Sequence, residues 1–592
     1  VKILSIQALR GPNYWSHTNP KLIQVRLELN EPYNFQEESL YNFEAQIKQN
    51  LPEQFQIQKT DENHLAVLFC ATALALQNSK VNHLDFYTIK ATQTAGIFNV
   101  VFAYHNERAG KQAVKSAQAL IEALQEGKSP NFNIEQTRIG ALIELEKNSE
   151  ELDNLIDQAK NRNIPFLPAE DEFPAQFGYG INSINIEIDK LPESINSIFP
   201  RENTGRIPII AISGSNGKTT STRLTAHILK TAGHCVGYTT SDGIYIDGEL
   251  IDEGDTTGPT SAQIALRNKN IDIAVLETAR GGIVRAGLGF DLCDLALLTN
   301  VQGDHLGISD IDTVEELNQV KAVIIKALKK EGTAILNADN ENTIAIGEKT
   351  ENKIAWFSLY PKNPLILNGI NKGIPVAYVE DQILYLQAGQ TKNKIASLSE
   401  IHITFNGSLK FMTQNAMGAA LSAFLFGIDT ETIGKALRTF FPSQEQTPGR
   451  MNLFEVKGKT VLIDFAHNPD GFEGVRDYLA TVKSPMKIGI IVGTGDRLES
   501  DLIRNGELAA EMFDHIIIQQ KKFLRGRTAE SIIDSLRQGI LKVNPNAKWE
   551  KIDDEAEALQ YALSMAPEGS IITALSNVLN QPFELIKHYQ NE

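Results

Sequence analysis

From residue 214 to residue 220 the chain reads Gly-Ser-Asn-Gly-Lys-Thr-Thr, set between an apolar run, IPIIAIS, and a helical pattern. Phosphate binding needs that junction. Gly214 and Gly217 let the backbone approach anionic oxygens, amides at the helix N-terminus point at the anion, and Lys218 neutralises charge. Thr219 is placed for Mg²⁺, and Ser215, Asn216 and Thr220 complete the cradle. The longer, general form of this loop has a glycine where this chain has Ile212, so the shorter Gly-x-x-Gly-Lys-Thr form is present.

Glu277 ends the strand pattern IDIAVLE, and acids at the carboxyl ends of parallel strands line the ligand crevice. It is a candidate second ligand for a Mg²⁺ held by Thr219. The segment NVQGDH, Asn300 to His305, follows the next strand pattern and puts His305 beside Asp304 at the mouth of the same crevice, a candidate metal ligand. Spacing alone would make Lys321 a surface lysine. Further on, Pro448-Gly449-Arg450 precedes a strand that ends in DFAHNP, residues 464–469. Arg450 has the chemistry to reach phosphates and Asp464 to bind a ribose, if this second lobe closes over a nucleotide.

These groups must be held by strands and helices in alternation. IPIIAIS, IDIAVLE and DLALLTN are continuous apolar runs of the kind buried on both faces of a parallel sheet. The helix after the phosphate loop should run from Lys218 to about Ala232 and stop at Gly233. After about residue 450 come TVLIDFA, KIGIIVG, HIIIQQ and SIITALS, separated by helical patterns, which predicts a second, Rossmann-like lobe. Residues 1–160 alternate strands with helices and predict an α+β domain. Residues 161–205 read as an irregular linker, too short for a domain of their own.

The length of 592 residues suits three or four domains, and a 42% hydrophobic, 22% charged composition suits a globular chain. The formal net charge of −17 argues against nucleic acid as a partner. No run approaches the length of a membrane span. Cys70, Cys235 and Cys293 lack metal or disulfide spacing, which points to a reducing, cytoplasmic setting.

In their order, GSNGKTT, Glu277, NVQGDH, Lys321, Asn415, PGR and DFAHNP resemble the Mur ligases and folylpolyglutamate synthetases. The resemblance implies a central ATP-binding domain over 206–448 and a mobile C-terminal Rossmann-like domain over 449–592. It implies that ATP meets the 214–220 loop, Asn415, Arg450, Asp464, His467 and Asn468. Thr219 and Glu277 would hold one Mg²⁺. His305 would help hold a second, with Lys321, which is carbamylated in many members.

The stretches LRGPNYWS (9–16), YTTSDGIYIDG (238–248), GDTTGPTSAQ (254–263) and LETARGGIVRAGLGFDLCD (276–294) are similar to cyanophycin synthetases in particular. Cyanophycin is a poly-aspartate backbone with arginine on each side chain. The likeness implies that Thr257, Gly258, Arg280 and Arg285 face the acceptor polymer, and that the protein is a homodimer. Two departures matter. Full-length members carry an ATP-grasp domain before the Mur-like part. Here FGYG (177–180) resembles its beginning, but the phosphate-loop strand arrives at 207, so only a truncated remnant fits in 161–205. Some members also carry an HxxEH cluster where this chain has Val67-Leu68-Phe69-Cys70-Ala71, so hydrolysis by that cluster is not expected. One ATP site supports one kind of bond. The expectation is therefore the short, second type of synthetase, which polymerises β-aspartyl-arginine dipeptides. The alternatives are addition of free arginine to poly-aspartate, or a non-catalytic cyanophycin-binding paralogue.

Overall fold

The computed structural model describes residues 1–29, 35–52, 64–78, 83–170, 173–201, 204–303, 307–576 and 580–591. Its first domain is a four-stranded antiparallel sheet in the order Lys2–Leu9, Leu22–Glu28, Ile97–Ala103, Tyr87–Ala91. The helix His64–Gln77 (HLAVLFCATALALQ) is buried along nearly its whole length, packed against the sheet and the helices Glu107–Gln125 and Phe132–Leu145. Val67 to Ala71, where an HxxEH cluster would sit, are packed core side chains. Burial pushes the Cys70 thiol well above its usual range.

Residues 161–205 are more ordered than a linker. Phe166–Leu167, Ala175–Phe177 and Ile184–Ile186 form a small antiparallel sheet. It shares a core with the preceding helix Glu150–Asn161 through Leu152, Leu155, Ile164 and Phe177. Strands of two or three residues are too short to show a periodicity, which is why the pattern reads as irregular. Two arginines of the next domain fasten this unit. Arg267 donates to the carbonyls of Pro168 (2.6 Å) and Pro174 (2.8 Å), and Arg206 Nε donates to the Asn163 carbonyl.

The central sheet has eleven strands. Seven are parallel, in the order Val236–Thr239, Ile273–Glu277, Ile209–Ser213, Cys293–Leu298, Leu328–Asn337, Lys353–Ser358, Val376–Glu380. Antiparallel pairs extend it at both edges: Gly243–Ile246 with Glu249–Glu253, and Ile383–Ala388 with Thr391–Ser397. All five residues of Ile209–Ser213 are buried, because helices cover both faces. The chain leaves this strand towards one edge and later returns on its other side, which makes its carboxyl end the switch point where ligands bind.

The C-terminal sheet has six strands rather than the four expected: Asn452–Val456, Lys459–Asp464, Ile571–Leu575, Lys487–Ile491, His515–Ile518 and Lys548–Lys551. The four apolar runs occupy its middle. The two extra strands lie at the edges, one of them the charged segment KWEK, and an edge strand needs no apolar run. Among the described residues, no helix is long and apolar enough to cross a membrane.

Candidate active site

A cleft of about 1060 Å³ opens at the carboxyl end of the central sheet. The phosphate loop forms its floor and the C-terminal lobe one wall. The loop's two glycines are required by sterics. Gly214 has φ +153°, and a Cβ there would lie 2.0 Å from Thr299 Oγ1. Gly217 caps the helix Lys218–Thr231 at φ +85°, where a Cβ would lie 2.1 Å from Asn415 Oδ1. Asn415 therefore acts first as a close-packed neighbour of the loop.

The segment Thr299 to Gln302 supports the loop from beneath. Thr299 Oγ1 donates to the Asn216 carbonyl (2.6 Å), and Asn300 Oδ1 accepts from the Asn216 amide (3.0 Å). Lys218 folds over the loop with Nζ 3.1 Å from the Gly214 carbonyl and 3.0 Å from that of Ser215. Lys321 is no surface lysine. It is 4% exposed, and its Nζ donates to the Gly214 carbonyl at 2.7 Å. Spacing missed this because the helix Val314–Lys321 reaches the loop only through the tertiary fold.

Thr219 Oγ1 lies 3.2 Å from Glu277 Oε1 and 3.1 Å from Ser241 Oγ. The other oxygen of Glu277, Oε2, is buried with no hydrogen-bond partner. Burial pushes this carboxyl up, while Lys218, Thr219 and Arg450 pull it down. An orphaned buried carboxylate oxygen beside a hydroxyl is costly unless a cation or a donor meets it. The pair thus fits Mg²⁺, which takes one or two protein ligands and completes its shell with phosphate and water. His305 lies outside the described residues. Among those described, no group of three His, Cys, Asp or Glu side chains forms a metal site.

The C-terminal lobe reaches the same loop. Arg450 is half-buried, lies over the Phe465 ring at 4.6 Å, and points Nη2 at Thr219 Oγ1 and Ser241 Oγ, each 3.5 Å away. Asn468 donates Nδ2 to Asn216 Oδ1 at 3.1 Å and caps the helix Pro469–Thr481 with its own oxygen. Asp464 accepts the amides of Met451 and Ala466, both at 2.8 Å, and so fixes the turns that carry Arg450 and His467. Burial raises the Asp464 carboxyl against the pull of Arg450. His467 Nδ1 lies 2.8 Å from the Phe465 carbonyl.

Thr257, Arg280 and Arg285 line the cleft on the central-lobe side. Gly258 sits behind them, with its Cα 3.1 Å from where a Cβ of Gly282 would stand, so it packs two loops together. Three groups escaped the sequence reading. Ser241 shares Thr219, Gln302 accepts from Asn216 Nδ2 at 3.1 Å, and Arg525 pairs with Asp496 on the C-terminal wall. Ser241 had a visible signal, since it follows the strand Val236–Thr239 at the sheet's carboxyl end.

Comparison with known proteins gives the family. Residues 212–423 match the Mur ligase middle domain, and residues 449–577 the Mur ligase glutamate ligase domain. The chain belongs to the Mur ligase superfamily. Within it, the chain is 42% identical over 393 residues to the cyanophycin synthetase of Trichormus variabilis, covering 66% of this chain and 44% of that protein. It is 43% identical over 394 residues to that of Synechocystis, covering 66% and 45%. The chain thus spans less than half the length of these curated relatives. It is 26% identical to the UDP-N-acetylmuramoyl-L-alanyl-D-glutamate–2,6-diaminopimelate ligase of Caldanaerobacter subterraneus, over 64% of this chain and 74% of that one. Among solved structures, E. coli FolC in complex with ADP aligns with 65% of this chain and 90% of its own at 17% identity, with a TM-score of 0.48. This Mur ligase superfamily member is therefore cyanophycin-synthetase-like, with both lobes of the ligase site present.

Proposed function

We propose that the protein is an ATP-dependent amide ligase that polymerises β-aspartyl-arginine dipeptides into cyanophycin at a single site. The observation that carries this reading is the convergence of Lys218, Thr219 and Glu277 from one lobe with Arg450 and Asn468 from the other on one phosphate loop. The α-carboxylate of the growing chain attacks the γ-phosphorus of ATP, and the bond to the β-phosphate oxygen breaks to release ADP. The dipeptide's amine then attacks the acyl carbon, phosphate leaves, and the amine's proton passes to solvent. Mg²⁺ at Thr219 and Glu277 would neutralise charge on the phosphates. Lys218 and Arg450 hold charge on the transferring phosphoryl group without reorganising. Closure of the C-terminal lobe keeps water from the acyl phosphate. Asn415, Asp464 and His467 are proposed to frame the nucleotide, and His305 with a carbamylated Lys321 to hold a second Mg²⁺. Thr257, Arg280 and Arg285, which line the cleft, are proposed to hold the polymer.

The choice of dipeptide rests on the segment before the phosphate-loop strand. Residues 161–205, described as a small three-stranded sheet, are read as the remnant of an ATP-grasp domain, with no room for a second ATP site. The identity to curated cyanophycin synthetases favours one other reading, addition of free arginine to poly-aspartate. Supplying primer and MgATP with either the dipeptide or the free amino acids separates the two. Polymer growth from free arginine alone would overturn the dipeptide reading.

A further inference from the structure

The N-terminal sheet grips the wall of the cleft at one turn. Gly307 to Ile311 form a tight hairpin, with the Gly307 amide donating to the Ile311 carbonyl at 2.8 Å. Its two central residues, Ser309 and Asp310, have φ +58° and +56°, the pattern of a type I′ turn. Serine rarely adopts that backbone, so something outside the turn must hold it. Ile308 and Ser309 line the cleft, and Arg280 of the cleft donates to the Ile308 carbonyl.

What holds the turn comes from the first domain. Arg26 Nη2 lies 3.0 Å from one carboxylate oxygen of Asp310, and Asn99 Nδ2 donates to the other at 2.9 Å. Lys90 Nζ donates to the Asp310 carbonyl at 2.6 Å and pairs with Glu316, also at 2.6 Å. Glu316 belongs to the capping box that opens the helix Val314–Lys321, and the far end of that helix is the lysine bonded to Gly214. Behind Asn99 stands a polar relay. Gln24 Nε2 donates to Asn99 Oδ1 at 3.4 Å, and Trp15 Nε1 donates to Gln24 Oε1 at 3.0 Å. The LRGPNYWS segment therefore has a position in the machine. Its backbone is stitched to the helix carrying Arg280 and Arg285 by Arg10 N to Ala286 O and Leu288 N to Pro12 O, each 2.9 Å.

We propose that Asp310 is a positioning residue through which the N-terminal domain sets the polymer side of the cleft. Its clamp by Arg26, Asn99 and Lys90 fixes Arg280 through the Ile308 carbonyl. The nucleotide side has its own supports in Thr299, Asn300 and Asn468, so loosening the clamp separates the two halves of the site.

The test uses the full chain with Asp310→Asn, Arg26→Met, Arg26→Lys and Lys90→Met. Amide hydrogen exchange is followed over 307–321. Steady-state rates are measured with MgATP, primer and a donor mixture of dipeptide, aspartate and arginine. Asp310→Asn and Arg26→Met should speed exchange at 307–316 by about tenfold, the effect of losing one charged hydrogen bond. They should raise KM for primer by a similar factor while KM for ATP stays within about twofold. Arg26→Lys should keep wild-type behaviour, and Lys90→Met, away from the core, should follow Asp310→Asn. Unchanged exchange, or KM for ATP rising in step with that for primer, would overturn the proposal, as would protection lost evenly over the whole N-terminal sheet. The kinetic half rests on the ligase reading above. A wild-type chain that makes no polymer would sink that reading and leave exchange to decide this one.

Discussion

Arg450 of the C-terminal lobe points Nη2 at Thr219 Oγ1 of the central lobe across 3.5 Å, while its guanidinium lies 4.6 Å over the Phe465 ring. The two lobes thus meet at the hydroxyl that also pairs with Glu277. The loop Gly449 to Met451 is held for that purpose, since Asp464 accepts the Met451 amide and Asn452 Oδ1 accepts that of Gly449 at 2.7 Å.

Arg450→Ala should lower the rate of ADP release by on the order of 10²-fold, as when a charge-stabilising donor is removed from a transition state. Arg450→Lys should recover little, because an ammonium lacks both the planar fork and the stacking on Phe465. Single-turnover ADP release measures it, and near-normal turnover in Arg450→Ala would remove the arginine from the chemistry.

Lys321→Ala should be nearly inactive despite its distance in sequence from the loop. If a carbamate is the working group, bicarbonate with a short-chain acid should partly restore the rate. Full activity without rescue would reduce Lys321 to a strut for the Gly214 carbonyl.

Asp242 supplies a stability prediction. Burial pushes its carboxyl up, but the adjoining Arg223 guanidinium and the hydroxyls of Tyr245 and Thr240 outweigh that and hold it below its ordinary value. Arg223 is only 4% exposed and is sandwiched on the Tyr245 ring. Asp242→Asn would leave it buried and unpaired, at a cost of about 3 kcal/mol. A carboxyl lowered by folding stabilises fully above the unfolded value of about 3.9 and loses that contribution as pH falls through its folded value. Thermal melts of wild type and Asp242→Asn should therefore differ most near neutrality and converge in acid. Parallel curves across pH would contradict this.

The products should be ADP and phosphate in equal amounts. In the proposed mechanism Lys218 and the 214–220 loop would hold the terminal phosphoryl group, so attack falls on the γ-phosphorus. Stoichiometric AMP and pyrophosphate would exclude an acyl phosphate.

How much of this could be read from the sequence depended on whether a residue's task is local. The phosphate loop was legible because Gly214, Gly217, Lys218 and Thr219 act within one turn, and Glu277 because it ends an apolar strand. Lys321 was not legible from spacing, since it meets the loop only after a long stretch of chain has folded back. Asp464 has a positioning task that no motif discloses, because its partners are backbone amides. The short strands of 161–205 and the edge strand Lys548–Lys551 lacked enough apolar positions to show a period. The docking of Asp310 on Arg26 and Asn99 joins residues more than two hundred positions apart, beyond any local pattern.

The most direct test of the account is polymer synthesis from β-aspartyl-arginine, primer, ATP and Mg²⁺, with ADP counted against dipeptide incorporated. One acyl phosphate per bond predicts about one ADP for each dipeptide added, and no polymer from free aspartate plus arginine. Polymer from the two free amino acids, or none from the dipeptide, would contradict a single site working on preformed dipeptides.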